Sequence, residues 1–463
     1  MSMIEGTPSR MVTEPAAEVK VYREADVIVV GGGPAGVAAA TASARNGTDT
    51  VLVERYGHLG GMATGGLVIL IMPMSDAAGR QQIAGLCQEM VDRLDERGSA
   101  VHPSKEELGS NDRERVSYWL SRGCPFFAME ERITLNILFD PEMFKCVLND
   151  MIEEAGVKLF LHSWGCKAVV EENAVRGVIF ESKSGRQAML GKVVVDATGD
   201  GDIFASAGAE FDATMDPSIR SATLALVFRV GNVDFTRLRT FRESRPGEYD
   251  ELMRDVEGLG GFTLYVRTFR EDVVWFNSNL PGLDGLNVED LTWVEVSGRK
   301  KMLITYDFFR RNVPGFEDAY IMDTASQVGV RGSRRLVGEH TITEQDVHAG
   351  RLHEDTIAVI PARQWAPALR SPLIYIPYGS LLPRRVENLL VAGRCLSSDQ
   401  FANNILSPIQ CCVAVGQAAG TAAALAIRNG ISPRSVDRRT LRERLAAQGV
   451  PLPGVRSTSQ LDA

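Results

Sequence analysis

Residues Asp26–Arg55 read DVIVVGGGPAGVAAATASARNGTDTVLVER, and this one segment decides the fold. The apolar run Asp26–Val30 predicts a buried strand. The glycine-rich turn Gly31–Gly36 follows it, and the alanine-rich stretch to Arg45 predicts a helix. Val51–Glu54 then predicts a second strand. Strand, glycine turn, helix and strand within about thirty residues form the building unit of a parallel α/β sheet.

The turn between the first strand and the helix has the spacing GxGxxG, which is typical of dinucleotide sites. Gly31 permits the tight turn, Gly33 lets the backbone approach a pyrophosphate, and Gly36 lets the helix pack on the strand. Glu54 follows 18 residues after Gly36, at the end of the second strand, where a carboxylate accepts hydrogen bonds from a ribose. The alternative is a glycine-rich turn in an ordinary α/β protein, and the surrounding strands and helix favour the dinucleotide site.

The pattern itself does not separate NAD from FAD. A second flexible turn at Gly60–Gly61 lies shortly after Glu54 and offers another approach to a pyrophosphate. The chain has no second GxGxxG, which disfavours a separate nicotinamide domain.

Charge and composition restrict the partners. The chain has 463 residues, of which 44% are hydrophobic, with 50 Lys and Arg against 59 Asp and Glu, a net charge of −9. An acidic chain without a compact basic run disfavours nucleic acid and anionic membranes as partners. No apolar run has the length that a membrane span needs, so we expect no membrane partner.

Seven scattered cysteines without CxxC spacing disfavour both a disulfide framework and a structural zinc site, and we expect no bound metal. This usage fits a reducing compartment. The segment Met1–Lys20 lacks the apolar core of a signal peptide. We therefore expect a cytoplasmic protein.

Farther along, helices and strands alternate. Helical periodicity covers Gly79–Arg97, and Asp140 caps a helix that starts at Pro141. Short strands alternate with turns between Val157 and Val195. The segment Phe316–Val337 is interpreted as helical, and Gln410–Ile427 as a helix of small residues suited to close packing.

Several stretches resemble the FAD-dependent oxidoreductases of the glutathione reductase superfamily, in particular its fumarate-reductase-like branch. The matching stretches are VGGGPAGVAAA, LVERYGHLGGMATGG, FDPEMFKCVLNDMIEEAGV, VVVDATGDGDIFASAG, VGVRGSRRLVGEHTITEQDV, NLLVAGRCLSSDQFANN and CCVAVGQAAGTAAALA. The resemblance implies FAD as the cofactor and a small-molecule substrate.

The resemblance also implies which residues hold FAD. The positions implied for the pyrophosphate and the adenosine are Gly31, Gly33, Pro34, Ala35, Gly36, Glu54, Arg55, Lys167 and Ala168. The positions implied along the rest of the cofactor are Gly60, Gly61, Met62, Thr64, Ala197, Thr198, Gly199, Asp202, Gly393, Arg394, Ser407 and Cys412. The helix starting near Ser407 would direct its N-terminus at the flavin pyrimidine edge, where reduced flavin carries negative charge.

The chain departs from the family near the flavin. Many members carry His near position 400 and Arg near 407, where this chain has Gln400 and Ser407. An acid–base role therefore does not transfer to these positions. The polar pair Asn403-Asn404 is the candidate substrate contact in this stretch, and Asn403 is our candidate for a catalytic role.

The candidate catalytic residues lie in a run rich in arginine and histidine. Arg331, Arg334 and His340 are our candidates, because an Arg fork matches a carboxylate and a His moves protons near neutral pH. The alternative is that these arginines pair with acidic neighbours on a solvated face.

We therefore predict an α/β fold with a Rossmann-like FAD-binding domain, three-layered around a central parallel sheet, and an α+β cap that binds substrate. The predicted FAD-binding domain is 20–66, 140–204 and 376–435; the cap is 67–139 and 205–375; 436–463 is a C-terminal helix and tail.

The predicted activity is hydride transfer between a small organic substrate and non-covalently bound flavin. The alternatives are a flavin-dependent monooxygenase or oxidase, and a non-catalytic FAD-binding protein. The sequence leaves the electron acceptor or donor open, and a homo-oligomer would be ordinary for such a protein.

Overall fold

The fold is described by a computed structural model that covers residues 12–122, 125–362, 369 and 371–455. Its helices are α1 (Pro34–Arg45), α2 (Leu86–Glu96), α3 (Arg113–Ser121), α4 (Pro141–Glu154), α5 (Asp202–Ser206), α6 (Phe235–Ser244), α7 (Pro246–Gly258), α8 (Val288–Asn312), α9 (Glu344–Ala349), α10 (Gln400–Leu406), α11 (Ile409–Asn429) and α12 (Arg438–Ala447).

Its strands are β1 (Lys20–Val30), β2 (Thr50–Val53), β3 (Leu70–Ile71), β4 (Ala100–Val101), β5 (Ala128–Met129), β6 (Arg132–Ile133), β7 (Ile137–Phe139), β8 (Lys158–Phe160), β9 (Trp164–Glu171), β10 (Ala174–Ser182), β11 (Gly185–Asp196), β12 (Phe211–Asp212), β13 (Thr223–Ala225), β14 (Phe228–Gly231), β15 (Tyr265–Arg267), β16 (Val274–Phe276), β17 (Asn279–Pro281), β18 (Tyr320–Thr324), β19 (Gly329–Val330), β20 (Arg335–Leu336), β21 (Thr356–Pro361), β22 (Leu373–Pro377) and β23 (Leu389–Val391).

The main sheet has seven strands in the order β8-β2-β1-β11-β10-β9, with β23 paired beside β11. The strands β8, β2, β1, β11 and β23 run parallel, and β10 and β9 continue the sheet as antiparallel strands. The buried end of β1, Val27–Val30, lies between β2 and the second half of β11. The predicted α/β class with a parallel central sheet is confirmed.

Helices α1 and α11 pack against each other beneath this sheet. A Cβ at Gly416 would collide with the backbone of Ala35, and one at Gly420 with the backbone of Ala39. Glycine at these two positions therefore lets the helix axes approach closely, as the small-residue pattern predicted.

Helix α11 also corrects the expectation that no apolar run could span a membrane. Its 21 residues are long and apolar enough by length and composition. In the fold, 94% of the apolar window is buried inside the protein, so the helix serves as a core element.

A second hydrophobic core lies around the four-stranded sheet β15-β16-β14-β18 and helix α8. The helix predicted over Phe316–Val337 is wrong, because β18 pairs with β14 there and β19 pairs with β13. Sheet pairing overrides local helix propensity in this segment, and Gly329 and Gly332 interrupt its pattern. The long helix of this region is α8 instead. The domain boundaries given above stay a prediction.

Candidate functional site

A cavity lies where the carboxyl ends of β1 and β2 meet the N-termini of α1 and α11, and we name it the first cavity. The predicted cofactor residues that line it are Gly31, Gly33, Pro34, Ala35, Glu54, Arg55, Gly61, Met62, Ala197, Thr198, Gly199, Asp202, Gly393, Arg394, Ser407 and Cys412. Segments far apart in the chain thus meet at one site, because parallel strands end at the same edge of the sheet.

The three glycines of the first turn have three different environments. Gly31 has φ of +99°, and a Cβ there would collide with the carbonyl of Ala197. A Cβ at Gly36 would collide with the carbonyl of Gly31. At Gly33 no atom lies within 4 Å of an added Cβ, so this backbone faces open space in the first cavity. The turn is tight, yet its middle glycine is open to a ligand.

Glu54 holds the turn in place as well as lining the cavity. Its buried carboxylate accepts hydrogen bonds from the backbone N–H of Gly32 at 2.5 Å and of Tyr56 at 2.7 Å. Carboxylate oxygens accept further bonds, so the group remains suited to ribose hydroxyls.

The second glycine turn rests on the first. The Gly60 amide donates to the carbonyl of Gly32 at 2.8 Å, and Gly61 lies against Gly33. Thr64 is buried behind this turn and donates to the Leu59 carbonyl at 2.5 Å. Gly60 and Thr64 therefore support the lining and do not form part of it. The same is true of Gly36.

Buried charges shape the loop after β11. Asp196 accepts four hydrogen bonds, from Thr198 and from the amides of Ile203 and Phe204, and burial raises its pKa to about 6. Asp200 pairs with Arg394 at 2.5 Å. Burial alone would raise the pKa of Asp200, but the charge of Arg394 and the hydrogen bonds from Ser333 and Arg394 together hold it below its ordinary value. The hydrogen bonds to Asp196 and the ion pair between Asp200 and Arg394 therefore fix this loop.

The N-terminus of α11 opens into the first cavity. Ser407, Ile409 and Cys412 line the cavity around the first turn of this helix. A helix N-terminus favours negative charge, which is the charge that reduced flavin carries. Burial raises the pKa of Cys412 to about 12, so its thiol stays protonated.

The opposite end of the first cavity lies beside the start of β9. Ser163, Trp164 and Gly165 line it there, whereas Lys167 and Ala168 do not. The Ala168 amide instead donates to Ser206 at 2.9 Å. The lining at this strand therefore comes from its first residues rather than from the predicted Lys167 and Ala168.

A second cavity of about 660 Å³ adjoins the first and is lined largely by residues of the second core. The two cavities share Met62, Arg394, Ser407 and Ile409 in their linings. The predicted catalytic residue Arg331 lines the second cavity, together with Arg220, Asn277 and Asn279, which the sequence analysis missed.

Two other predicted catalytic residues support the loops around the first cavity. Arg334 donates to the Asp200 carbonyl and to Asp202, each at 3.0 Å. Asn403 is buried and donates to the Arg394 carbonyl at 2.6 Å. Neither residue lines the first or the second cavity, so their geometry fits positioning of Arg394 and the loop after β11.

His340 lies apart from both cavities, in a group with Asp346 and His353. Their potential metal-ligating atoms lie within 4.8 Å of one another. Asp346 already has protein partners. It forms the capping box of α9 with Thr343, and it pairs with Arg351 at 2.8 Å. We expected His340 beside the flavin as an acid or base. The structure instead places it outside the linings of both cavities.

Gln327 is another lining residue of the first cavity that the sequence analysis missed. Its side-chain nitrogen is buried and has no acceptor in the described part of the chain. A donor in this position suits a polar edge of a ligand. The only signal in the sequence is its place just before the matching stretch that begins at Val328.

The family comparison agrees with this geometry. The family model of FAD dependent oxidoreductases matches residues 26–445, which is most of the chain. The chain belongs to the FAD-dependent oxidoreductase family. It is therefore an enzyme that uses FAD. The open backbone at Gly33, the carboxylate of Glu54 and the two helix N-termini fit that cofactor in the first cavity.

One curated relative is the tRNA uridine 5-carboxymethylaminomethyl modification enzyme MnmG of Wolinella succinogenes. It is 31% identical over 184 residues, which are 37% of this chain and 24% of that enzyme. The alignment thus spans about a quarter of the relative's length.

Two solved structures are similar over most of their length. A geranylgeranyl bacteriochlorophyll reductase-like protein from Thermoplasma acidophilum is 15% identical, with a TM-score of 0.48, covering 92% of this chain and 84% of that one. The p-nitrophenol 4-monooxygenase PnpA from Pseudomonas putida is 12% identical, with a TM-score of 0.49, covering 95% and 92%. At these identities, neither substrate transfers to this enzyme.

Proposed function

We propose that the enzyme transfers a hydride between a small organic substrate in the second cavity and FAD held non-covalently in the first. The observation that carries this proposal is the shared lining of the two cavities at Met62, Arg394, Ser407 and Ile409. A substrate in the larger cavity therefore ends beside the cofactor, and such proximity is what hydride transfer needs.

FAD, when bound, supplies a ring that accepts or returns a hydride, which carries two electrons and one proton. The residues of the chain bind and orient. The first turn of α11 favours negative charge at the first cavity, and Arg394 reaches both cavities while Asp200 balances its charge.

Non-covalent binding is supported by the position of His58. Its ring lies near the Leu59 carbonyl and Thr64, and it is not part of the first-cavity lining. A covalent link would need a nucleophilic side chain at the flavin ring, and Cys412, which does line the cavity, keeps a protonated thiol.

The finer assignments belong to the same proposal. Membership of the fumarate-reductase-like branch rests on the matching stretches of sequence. A small-molecule partner, rather than nucleic acid or a membrane, and a cytoplasmic location rest on charge and on cysteine usage. Six of the cysteines lie in the described part of the chain, and all six are free.

The test is an absorbance spectrum of the purified protein before and after acid precipitation, with the released cofactor identified by chromatography. We expect flavin absorbance and free FAD in the supernatant. Anaerobic addition of small acids, alcohols and amines should then bleach the flavin with at least one class. Protein that neither retains nor rebinds FAD contradicts the cofactor site. FAD-loaded enzyme that only hydroxylates its substrate with oxygen contradicts simple hydride transfer.

A further inference from the structure

A group of metal-ligating side chains lies in the connection between β20 and β21, outside the linings of both cavities. His340 precedes α9, Asp346 lies in the first turn of α9, and His353 follows the helix. One potential ligand atom of each residue lies within 4.8 Å of those of the other two. Two imidazoles and a carboxylate from one short segment therefore meet at a single point.

The polar atoms of this group lack the partners that buried polar atoms normally have. The Nε2 atoms of His340 and His353 and the Oδ1 atom of Asp346 are all buried. None of the three forms a hydrogen bond within the part of the chain that the structure describes. Buried polar atoms are nearly always satisfied, so three unsatisfied atoms at one point indicate a ligand that contacts all of them.

The fold holds both histidines in place without a metal. The His340 amide donates to the Gly379 carbonyl at 3.2 Å, just after β22. The His353 carbonyl accepts a hydrogen bond from the Thr356 hydroxyl at 2.7 Å, at the start of β21. Between them, Gly350 ends α9 with φ of +56°, so the chain turns back toward the start of the helix. The centroids of the two imidazole rings lie 4.6 Å apart as a result.

Asp346 is the member of the group that has competing partners. Its Oδ2 atom accepts from the Thr343 amide at 3.0 Å and the Thr343 hydroxyl at 2.8 Å, and both bonds belong to the capping box of α9. Its Oδ1 atom pairs with Arg351 at 2.8 Å, but without the alignment of a hydrogen bond. The Arg351 side chain is 52% exposed, so it can move aside with little loss of stability. A bound cation would take its place at Oδ1.

We propose that His340, Asp346 and His353 form a binding site for one zinc ion or a similar divalent transition metal. Imidazole nitrogens favour these metals over magnesium and calcium, which prefer oxygen ligands. Three protein ligands leave one position of a tetrahedral zinc site for water. Because the site lies outside both cavities, the metal holds the connection between β20 and β21 together and stabilises the fold, independently of the reaction at the flavin.

The sequence analysis expected no bound metal, because its search rested on cysteine spacing. The three ligands are separated by five and six residues, which is outside the short, regular spacing of the common zinc motifs. The turn at the end of α9 is what brings them together, and local sequence pattern does not record it.

The first test is a calorimetric titration of zinc chloride into FAD-loaded enzyme that has been stripped of metal with a chelator and then freed of the chelator. We expect one ion per chain, with a Kd of about 1 μM or tighter. Saturating zinc should also raise the temperature of thermal unfolding, because the ion binds the folded chain better than the unfolded one. Magnesium at the same concentration should do neither. Wild-type enzyme that binds no zinc overturns the proposal.

Histidine variants locate the ion. His340→Gln and His353→Gln should each weaken zinc binding by at least about tenfold, since losing a ligand matters at least as much as losing an outer partner. Their FAD content shows whether they fold. His348→Gln, on α9 but outside the group, is the matched control and should keep the wild-type affinity. Unchanged affinity in either of the first two variants shows adventitious zinc elsewhere, for instance at the exposed Cys146, and overturns the proposal.

Arg351→Gln tests the carboxylate, because its effect should have the opposite sign. The variant removes the cation that competes for the Oδ1 atom of Asp346. Zinc should therefore bind more tightly, by up to about fivefold, the factor that corresponds to an exposed ion pair. A general loss of structure cannot produce this gain. Equal or weaker zinc binding in Arg351→Gln shows that the ion does not reach Asp346, and it overturns the site.

Discussion

The first and second cavities share four lining residues, yet the chain builds them in different ways. Backbone forms much of the first cavity, through the turn Gly31–Gly36 and the loop after β11. Side chains from distant segments form the second, with Arg220 and Arg331 more than a hundred residues apart in the chain. A backbone site needs glycine at fixed spacing, whereas a side-chain site needs only that the fold brings the right groups together.

The two cavities also differ in how their charges are balanced. Around the first cavity, Asp200 pairs with Arg394 and Asp202 pairs with Arg334. In the second, Arg331 has only amide partners within the part of the chain that the structure describes. Arg334 and Arg394 therefore each have an aspartate partner, whereas Arg331 has no carboxylate partner among the described residues. Five measurements would break or sharpen this comparison.

The largest effect is expected at Gly33. Gly33→Val adds a side chain to open space in the first cavity, so FAD retention should fall at least 100-fold, as measured by the flavin absorbance of purified protein. The apoprotein should unfold at the wild-type temperature. Gly247→Val, also in open space but in α7, is the control and should keep its FAD. A Gly33→Val enzyme with wild-type flavin content would show that the pyrophosphate lies elsewhere.

Removal of the aspartate beside Arg394 should have the next largest effect. Asp200→Asn leaves a buried guanidinium without its partner and should lower the free energy of unfolding by about 3–5 kcal/mol. Urea denaturation of the apoprotein measures this change. Asp150→Asn breaks the exposed pair with Arg97 and should change stability by at most about 1 kcal/mol.

Arg331→Gln sharpens the same contrast, because it removes a charge that has no carboxylate partner in the described ranges. It should destabilise the apoprotein much less than Asp200→Asn does. Equal losses of stability in the two variants would contradict the difference in charge balance between the cavities.

A smaller loss is expected where α11 meets α1. Gly420→Ala forces the two helices apart at Ala39 and should lower the free energy of unfolding by about 1–3 kcal/mol, measured by urea denaturation. Gly258→Ala, where the added Cβ meets nothing, should raise stability by up to about 1 kcal/mol. A loss of stability at Gly420 together with a gain at Gly258 would confirm that the close approach of the helices, rather than helix propensity, decides the change in the free energy of unfolding.

The smallest effect concerns pH. Burial holds the pKa of His58 below its ordinary value of 6.5. Below pH 6.5 the unfolded chain therefore binds more protons at this residue than the folded one, and the free energy of unfolding falls as the pH drops. His58→Gln should flatten this slope in denaturation measured between pH 7 and 5.

The comparison explains which parts of the site could be predicted from sequence. Gly31, Gly33 and Glu54 were identified because their spacing follows from backbone geometry that few other sequences satisfy. Arg220 and Asn277 could not be identified, since nothing local distinguishes them from surface residues. Their role depends on how the second core folds onto the main sheet.

The errors have physical causes as well. The segment Phe316–Val337 was assigned to a helix because local pattern does not record the pairing of β18 with β14. His340 was grouped with Arg331 because they are close in sequence, yet only Arg331 lines the second cavity, while His340 lies with Asp346 and His353. Lys167 and Ala168 lie on the expected strand, but the cavity meets its first residues instead.

The contact between α1 and α11 also sets the order of events during synthesis. Helix α11 closes the first cavity, and about 400 residues separate its last residue from the start of α1. At 5–20 residues per second, a ribosome needs about 20–80 s to make that stretch. Throughout this interval the glycine turn has been synthesised, but α11, which packs against α1 beside it, has not. With FAD proposed in the first cavity, we expect its capture to follow the synthesis of α11, so the N-terminal half leaves the ribosome before the cofactor site is complete.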